Sequence, residues 1–124
     1  AFVDDPYIVL DGTDNLVTRR IVAAACERLS KPLVSGAVSM FSGQVTVFAP
    51  HLGGPAHAAL YPDAASDDAL PSCEANGILG PVTGVIGTLM AMEAIKLATG
   101  VGTPLVGRLL VYDAREASFS ELGY

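Results

Sequence analysis

The sequence has no Trp, two Cys in 124 residues, 6% aromatic residues and 16% charged ones. Each shortage excludes something. Two cysteines in dissimilar settings cannot build the disulfide framework that staples small secreted domains, so a reducing, cytoplasmic setting is the simpler expectation. Cations are the scarcer charge, 7 Lys and Arg against 13 Asp and Glu. That leaves no basic stripe for a phosphate backbone and excludes nucleic acid as the expected partner. No positively charged leader is expected either, since Asp4 and Asp5 stand where one would be basic. The most apolar stretch, 78–92, contains Pro81 and Gly80, Gly84 and Gly87. At about 15 residues it falls short of the roughly 20 that a membrane span requires, and a buried helix is expected there.

What is present is apolar residue and turn-former: 51% hydrophobic, 13 Gly and 8 Pro. A soluble domain averages about 25% charged residues, so a chain this poor in charge is expected to be well buried, either as one domain over 1–124 or as a fragment of a larger one.

Residues 7–11 (YIVLD) lack polar alternation, as a strand covered on both faces does. The following Asp11-Gly12-Thr13-Asp14-Asn15 supplies Thr13 or Asp14 as a helix cap, and Leu16, Ile21, Ala24, Ala25 and Leu29 keep helical spacing until Pro32. A second strand is expected over 33–40, a turn at Ser42-Gly43, and a third strand over 44–49 with Val45, Val47 and Ala49 on one side. Residues 50–77, with Pro50, Pro55, Pro62 and Pro71, read as a long loop. A helix over 82–99 ends at Gly100, and Gly77, Gly80, Gly84 and Gly87 share one face, which predicts close packing on a neighbour. Strands over 107–113 and 117–122, joined by an Ala-Arg-Glu turn, complete an α/β chain with a mixed sheet and flanking helices.

Two segments could carry chemistry. Ligands of open α/β sheets gather at the carboxyl ends of strands, where carboxylates can hold Mg²⁺ against a phosphate. Asp14 is the better metal candidate there, unless it only caps the helix, and Asp11 the better structural one. Arg19 and Arg20, one turn on, read as a solvated face. Cys73, in Pro71-Ser72-Cys73-Glu74 shortly before a helix, is the candidate nucleophile, although Glu74 works against its thiolate. Cys26, beside Ala23, Ala24 and Ala25, reads as a small buried hydrophobe. His51, His57 and Asp63 share the long loop, but at spacings untypical of metal sites. No Gly-rich phosphate loop follows a strand, and no Ser nucleophile elbow occurs. A nicotinamide enzyme is thereby disfavoured.

Four blocks carry a resemblance over nearly the whole chain: V-L-D-G-T-D-N-x-x-x-R, K-P-L-V-S-G-A-x-x-x-x-G-Q-V-x-V-F, P-S-C-E-x-x-G-I-L-G-P-V-x-G-V-I-G-T-L-x-A-x-E-A-I-K and G-R-L-L-x-Y-D-A. Together they resemble the MoeB, ThiF and HesA family of adenylating enzymes. The resemblance implies a Rossmann-like fold and a homodimer. It also implies adenylation of the C-terminal glycine of a ubiquitin-like sulfur-carrier protein by Mg²⁺ and ATP, in molybdopterin or thiamin-type sulfur chemistry. It gives Asp14 the Mg²⁺-ATP role, Asn15 a place in the same nucleotide site, and Cys73 the role of candidate thiol for a later sulfur transfer.

The pattern departs from the family twice. The family's C-x-x-C zinc pair aligns with Ala56 and Ala59, and its partner pair is not found after the last strand, so no zinc is expected. The family's Gly-rich phosphate turn, with its clamping Arg and Lys, precedes the T-D-N strand, close to which this sequence starts. The expectation is therefore the C-terminal half of the fold, part of an adenylyltransferase. The alternative is a non-catalytic module of the same fold that binds a carrier or a second subunit.

Overall fold

The structure, a computed structural model, describes residues 8–62 and 77–124. Within them the elements run β1 (Val9–Asp11), α1 (Leu16–Arg28), β2 (Leu33–Val38), β3 (Ser42–Phe48), a 3-10 turn (Pro50–Leu52), the short α2 (His57–Leu60), α3 (Gly80–Thr99), β4 (Arg108–Asp113) and β5 (Ser118–Gly123). The five strands form one sheet in chain order. β1 and β2 are parallel, with Val9 opposite Leu33 and Asp11 opposite Ser35, and every later pairing is antiparallel. The mixed sheet with helices is as the pattern predicts. A parallel pair needs a crossover, which α1 supplies, whereas β2–β3 and β4–β5 close as hairpins.

The alternation of the strands divides the interior into two cores. On one face Leu16, Ala23 and Cys26 of α1 pack with Leu33, Phe48 and Tyr61. On the other, Ile86 and Met90 of α3 cover Val34, Val45, Val47 and Ala49, so the expected single-sided set of Val45, Val47 and Ala49 is present. This second contact requires glycine in the sheet. A Cβ at Gly36 would lie 2.3 Å from Met90 Sδ, and one at Gly43 would lie 2.4 Å from Ile86 Cγ1. Close approach of helix to strand is the use of glycine here.

Several boundaries differ from the sequence pattern. Ser42 and Gly43 belong to β3 rather than to the turn, which is Ser39 to Phe41, closed by Ser39 N–H donating to the Ser42 carbonyl at 2.8 Å. The stretch 50–62 is not plain loop, since it holds the 3-10 turn and α2. Ile21, placed on the buried face by spacing, is 65% exposed, and the core-facing residues of α1 are Leu16, Arg19, Ala23 and Cys26.

α3 has 20 residues, and by length and composition it is long and apolar enough to cross a membrane. Counting only to Met92 had made it too short. It lies on the sheet by one face, Val82, Ile86, Met90 and Glu93, while Met92 and Ile95 are exposed, so it is not buried all round. The glycine face also departs from expectation. A Cβ at Gly80, Gly84 or Gly87 would meet nothing within 4 Å. Glu93 is buried because it works as a cap for a loop: its Oε1 accepts the Leu105 N–H at 2.7 Å and its carboxylate pairs with Lys96. A buried backbone N–H left without such a partner would cost about 1–3 kcal/mol.

Candidate active site

β1 ends at Asp11, which is 4% exposed and accepts hydrogen bonds from Thr13 N at 2.8 Å and Thr13 Oγ1 at 2.7 Å. This Asx-type closure turns the chain from strand toward helix and uses the Asp11 carboxylate internally, the structural role the sequence gives it. The helix cap is Asn15, not Thr13 or Asp14: Asn15 has extended backbone and its side-chain oxygen accepts the Thr18 N–H at 2.7 Å. Asp14 is therefore not spent on the helix. It is exposed on the rim of a groove of about 400 Å³ lined by Gly12, Thr13, Asp14, Asn15, Val38, Ile78 and Thr83. A smaller cavity of about 110 Å³ shares Gly12, Val38 and Thr83 with this groove and is lined besides by Gly36 of β2 and by Ile86, Gly87 and Met90 of α3. The open glycine face of α3 thus contributes Gly87 to the wall of this cavity, where spacing alone predicts packing.

Size does not identify the site. A hollow of about 640 Å³ beside Ile8, Pro32, Leu97 and Ala98 is larger but has no titratable side chain in its lining. The groove at Asp14 combines a strand's carboxyl end, a helix N-terminus and a free carboxylate, the arrangement that suits a cation and a phosphorylated ligand.

Behind this groove, on the α1 side of the sheet, lies a polar layer the sequence pattern missed. Arg19 is buried, 2% exposed, not solvated. Arg19 falls between Leu16 and Ala23 on the core face of α1, a helical-spacing signal that its charge outweighs in the sequence. Arg20 reaches the Pro62 carbonyl at 2.8 Å. His57 is buried in a ring cluster, 5.1 Å from Phe48 and 5.0 Å from Tyr61 between centroids, and the Tyr61 hydroxyl accepts from Gln44 Nε2. Burial pushes the Tyr61 hydroxyl above its ordinary range. Cys26 is buried, and burial together with the Asp11 carboxylate raises its thiol, which makes it the inert hydrophobe expected. His51 is exposed and does not join His57, and among the described residues no group of three or more His, Cys, Asp or Glu could hold a metal. Asp63 and Cys73 lie outside the described residues.

Burial, and then the Arg19 and Arg20 charges, hold the His57 imidazole below its ordinary 6.5, with Asp11 opposing. The folded protein therefore keeps His57 neutral where the unfolded chain begins to take up a proton. Stability is full above about pH 6.5 and falls as pH drops through that value, until the lower folded pKa is reached. We expect the thermal midpoint to fall between about pH 7.5 and 5.5, and His57→Phe to flatten that slope, as read by calorimetry.

Comparisons with known proteins bear on the fold. The ThiF family model matches residues 1–123, and the chain belongs to the ThiF family. It is 51% identical over 110 residues to the maize (Zea mays) adenylyltransferase and sulfurtransferase MOCS3-1, covering 89% of this chain and 23% of that protein. It is 48% identical over 122 residues to the sulfur carrier protein adenylyltransferase of Thermus thermophilus, covering 94% of this chain and 45% of that protein. The chain thus spans less than half the length of these relatives. Among solved structures, Escherichia coli MccB with ATP superposes with a TM-score of 0.71 at 14% identity, over 94% of this chain and 36% of that one. PaaA does so with a TM-score of 0.70 at 13% identity, over 98% and 36%. At that identity the likeness establishes the fold, a ThiF-type Rossmann-like one.

Proposed function

We propose that this chain is part of an ATP-dependent adenylyltransferase that activates the C-terminal glycine of a ubiquitin-like sulfur-carrier protein, in molybdopterin or thiamin-type sulfur chemistry. The observation that carries the reading is Asp14: a carboxylate released from helix capping by Asn15, exposed at the end of a parallel strand on the rim of a groove. The relatives' names, adenylyltransferase and sulfur carrier protein adenylyltransferase, support it.

In this reading the carrier's carboxylate attacks the α-phosphate of ATP and pyrophosphate leaves. Asp14 is a hard oxygen donor suited to Mg²⁺, which when bound offsets the charge developing on the phosphate oxygens. Asn15 fixes the first turn of α1, whose amides carry the positive end of the helix dipole toward the same groove. Cys73 is the candidate thiol for sulfur transfer. Zinc has no place in the segment at α2, because Ala56 and Ala59 carry no donor atom. The ring cluster of Phe48, His57 and Tyr61 and the Arg20 contact to Pro62 hold that segment instead. A homodimer and a cytoplasmic location belong to the same reading, and the exposed Met92 and Ile95 on α3 support the dimer.

The test is ATP–pyrophosphate exchange by the full-length protein with a ubiquitin-like sulfur carrier. Exchange that depends on the carrier and on Mg²⁺ is the expected result. Carrier binding without exchange would instead favour the non-catalytic module.

A further inference from the structure

The proposed chemistry does not account for the burial of Arg19. A guanidinium at 2% exposure is costly unless its N–H groups find acceptors, and a cation in the first turns of a helix also opposes the positive end of the dipole. An aliphatic side chain would fill a helix-to-sheet contact at less cost. What the guanidinium adds is a two-pronged link. Nη1 donates to Ser35 Oγ at 3.0 Å and Nη2 donates to the Gly36 carbonyl, both on β2, while Nε has no acceptor among the described residues.

Each end of this link leads to the groove. At one end the Arg19 backbone N–H donates to the Asn15 carbonyl at 3.2 Å, and Asn15 caps α1 directly after Asp14. At the other end Gly36 lines the small cavity that shares Gly12, Val38 and Thr83 with the groove, and it is met from the α3 side by Met90 and Ile86. A single buried fork therefore sets the first turn of α1 against a part of β2 that α3 already clamps.

We propose that Arg19 is a positioning residue for the adenylation site: it ties the first turn of α1, and with it the Asp14 carboxylate, to β2, so that Asp14 stands in one place over the groove. This rests on the reading of Asp14 given above. Lys cannot replace the fork, since its ammonium is a point charge on a flexible stem.

The experiment measures ATP–pyrophosphate exchange by the full-length protein at varied Mg²⁺ and carrier concentrations, well below each variant's thermal midpoint, for wild type, Asp14→Ala, Arg19→Lys and Ser35→Ala. Misplacing a reacting geometry by about 1 Å costs on the order of 10²-fold, so Arg19→Lys should lose that much in kcat. It should also need more Mg²⁺ for half-maximal rate and keep the wild-type KM for the carrier. Ser35→Ala, which keeps the guanidinium and loses one prong, should shift the Mg²⁺ dependence the same way by a smaller factor, and it serves if Arg19→Lys does not fold. Wild-type kcat and Mg²⁺ dependence in both variants, with Asp14→Ala inactive, would overturn the positioning role alone, even if their melting temperatures fell. A wild type without exchange would remove the reading of Asp14 and this proposal together.

Discussion

Asp14→Ala in the full-length protein is expected to lower ATP–pyrophosphate exchange by on the order of 10²–10³-fold, the range seen when one preorganised group facing developing charge is removed. Its folding stability should stay within about 0.5 kcal/mol of wild type, because Asp14 is exposed and does not cap α1. Asn15→Ala should behave the opposite way in stability, losing about 1 kcal/mol with the cap that holds Thr18 N–H. The pair separates two roles that the sequence leaves entangled. If Asp14 served only the helix, its loss would show in the melting temperature and not in exchange. Unchanged exchange in Asp14→Ala, measured as pyrophosphate incorporation into ATP, would remove its role in holding Mg²⁺.

The distinction between Asp14 and Asn15 marks how far the sequence alone reaches. Thr13, Asp14 and Asn15 are all good caps, and which one caps depends on where the backbone turns helical. That point is set by Asp11, whose carboxylate closes the turn on Thr13. The strands and both long helices were legible because their apolar residues run unbroken, alternate or keep helix period, with Gly or Pro close to the helix ends, whereas the turn of the first hairpin was misplaced at Ser42-Gly43. Arg19 was not legible as a buried residue, because charge argues for solvent until a partner is known, and its partners Ser35 and Gly36 are on another element. The glycines of α3 misled for a related reason. Equal spacing places Gly80, Gly84 and Gly87 on one face, but only the tertiary arrangement decides whether that face is covered, and here the sheet takes the face of Val82, Ile86 and Met90 instead.

The same limit gives the second large effect. Leu16 and Ile21 both keep the apolar spacing of α1, yet Leu16 is 1% exposed among Ala23, Cys26, Leu33 and Phe48, while Ile21 is 65% exposed. Leu16→Ala should therefore cost about 2–5 kcal/mol, the sum of lost transfer energy and the cavity left behind. Ile21→Ala should cost no more than about 0.5 kcal/mol. Urea titration checks both, with the midpoint of Leu16→Ala moving down and the slope unchanged, since a core truncation alters stability rather than the surface exposed on unfolding. Leu16 is also the first residue of α1, directly after Asn15. A cavity there loosens the anchor of the turn that presents Asp14, so exchange by Leu16→Ala should fall as well, and fall more steeply with temperature than that of the wild type. Equal losses from Leu16→Ala and Ile21→Ala would mean that Ile21 is covered as Leu16 is, against its 65% exposure.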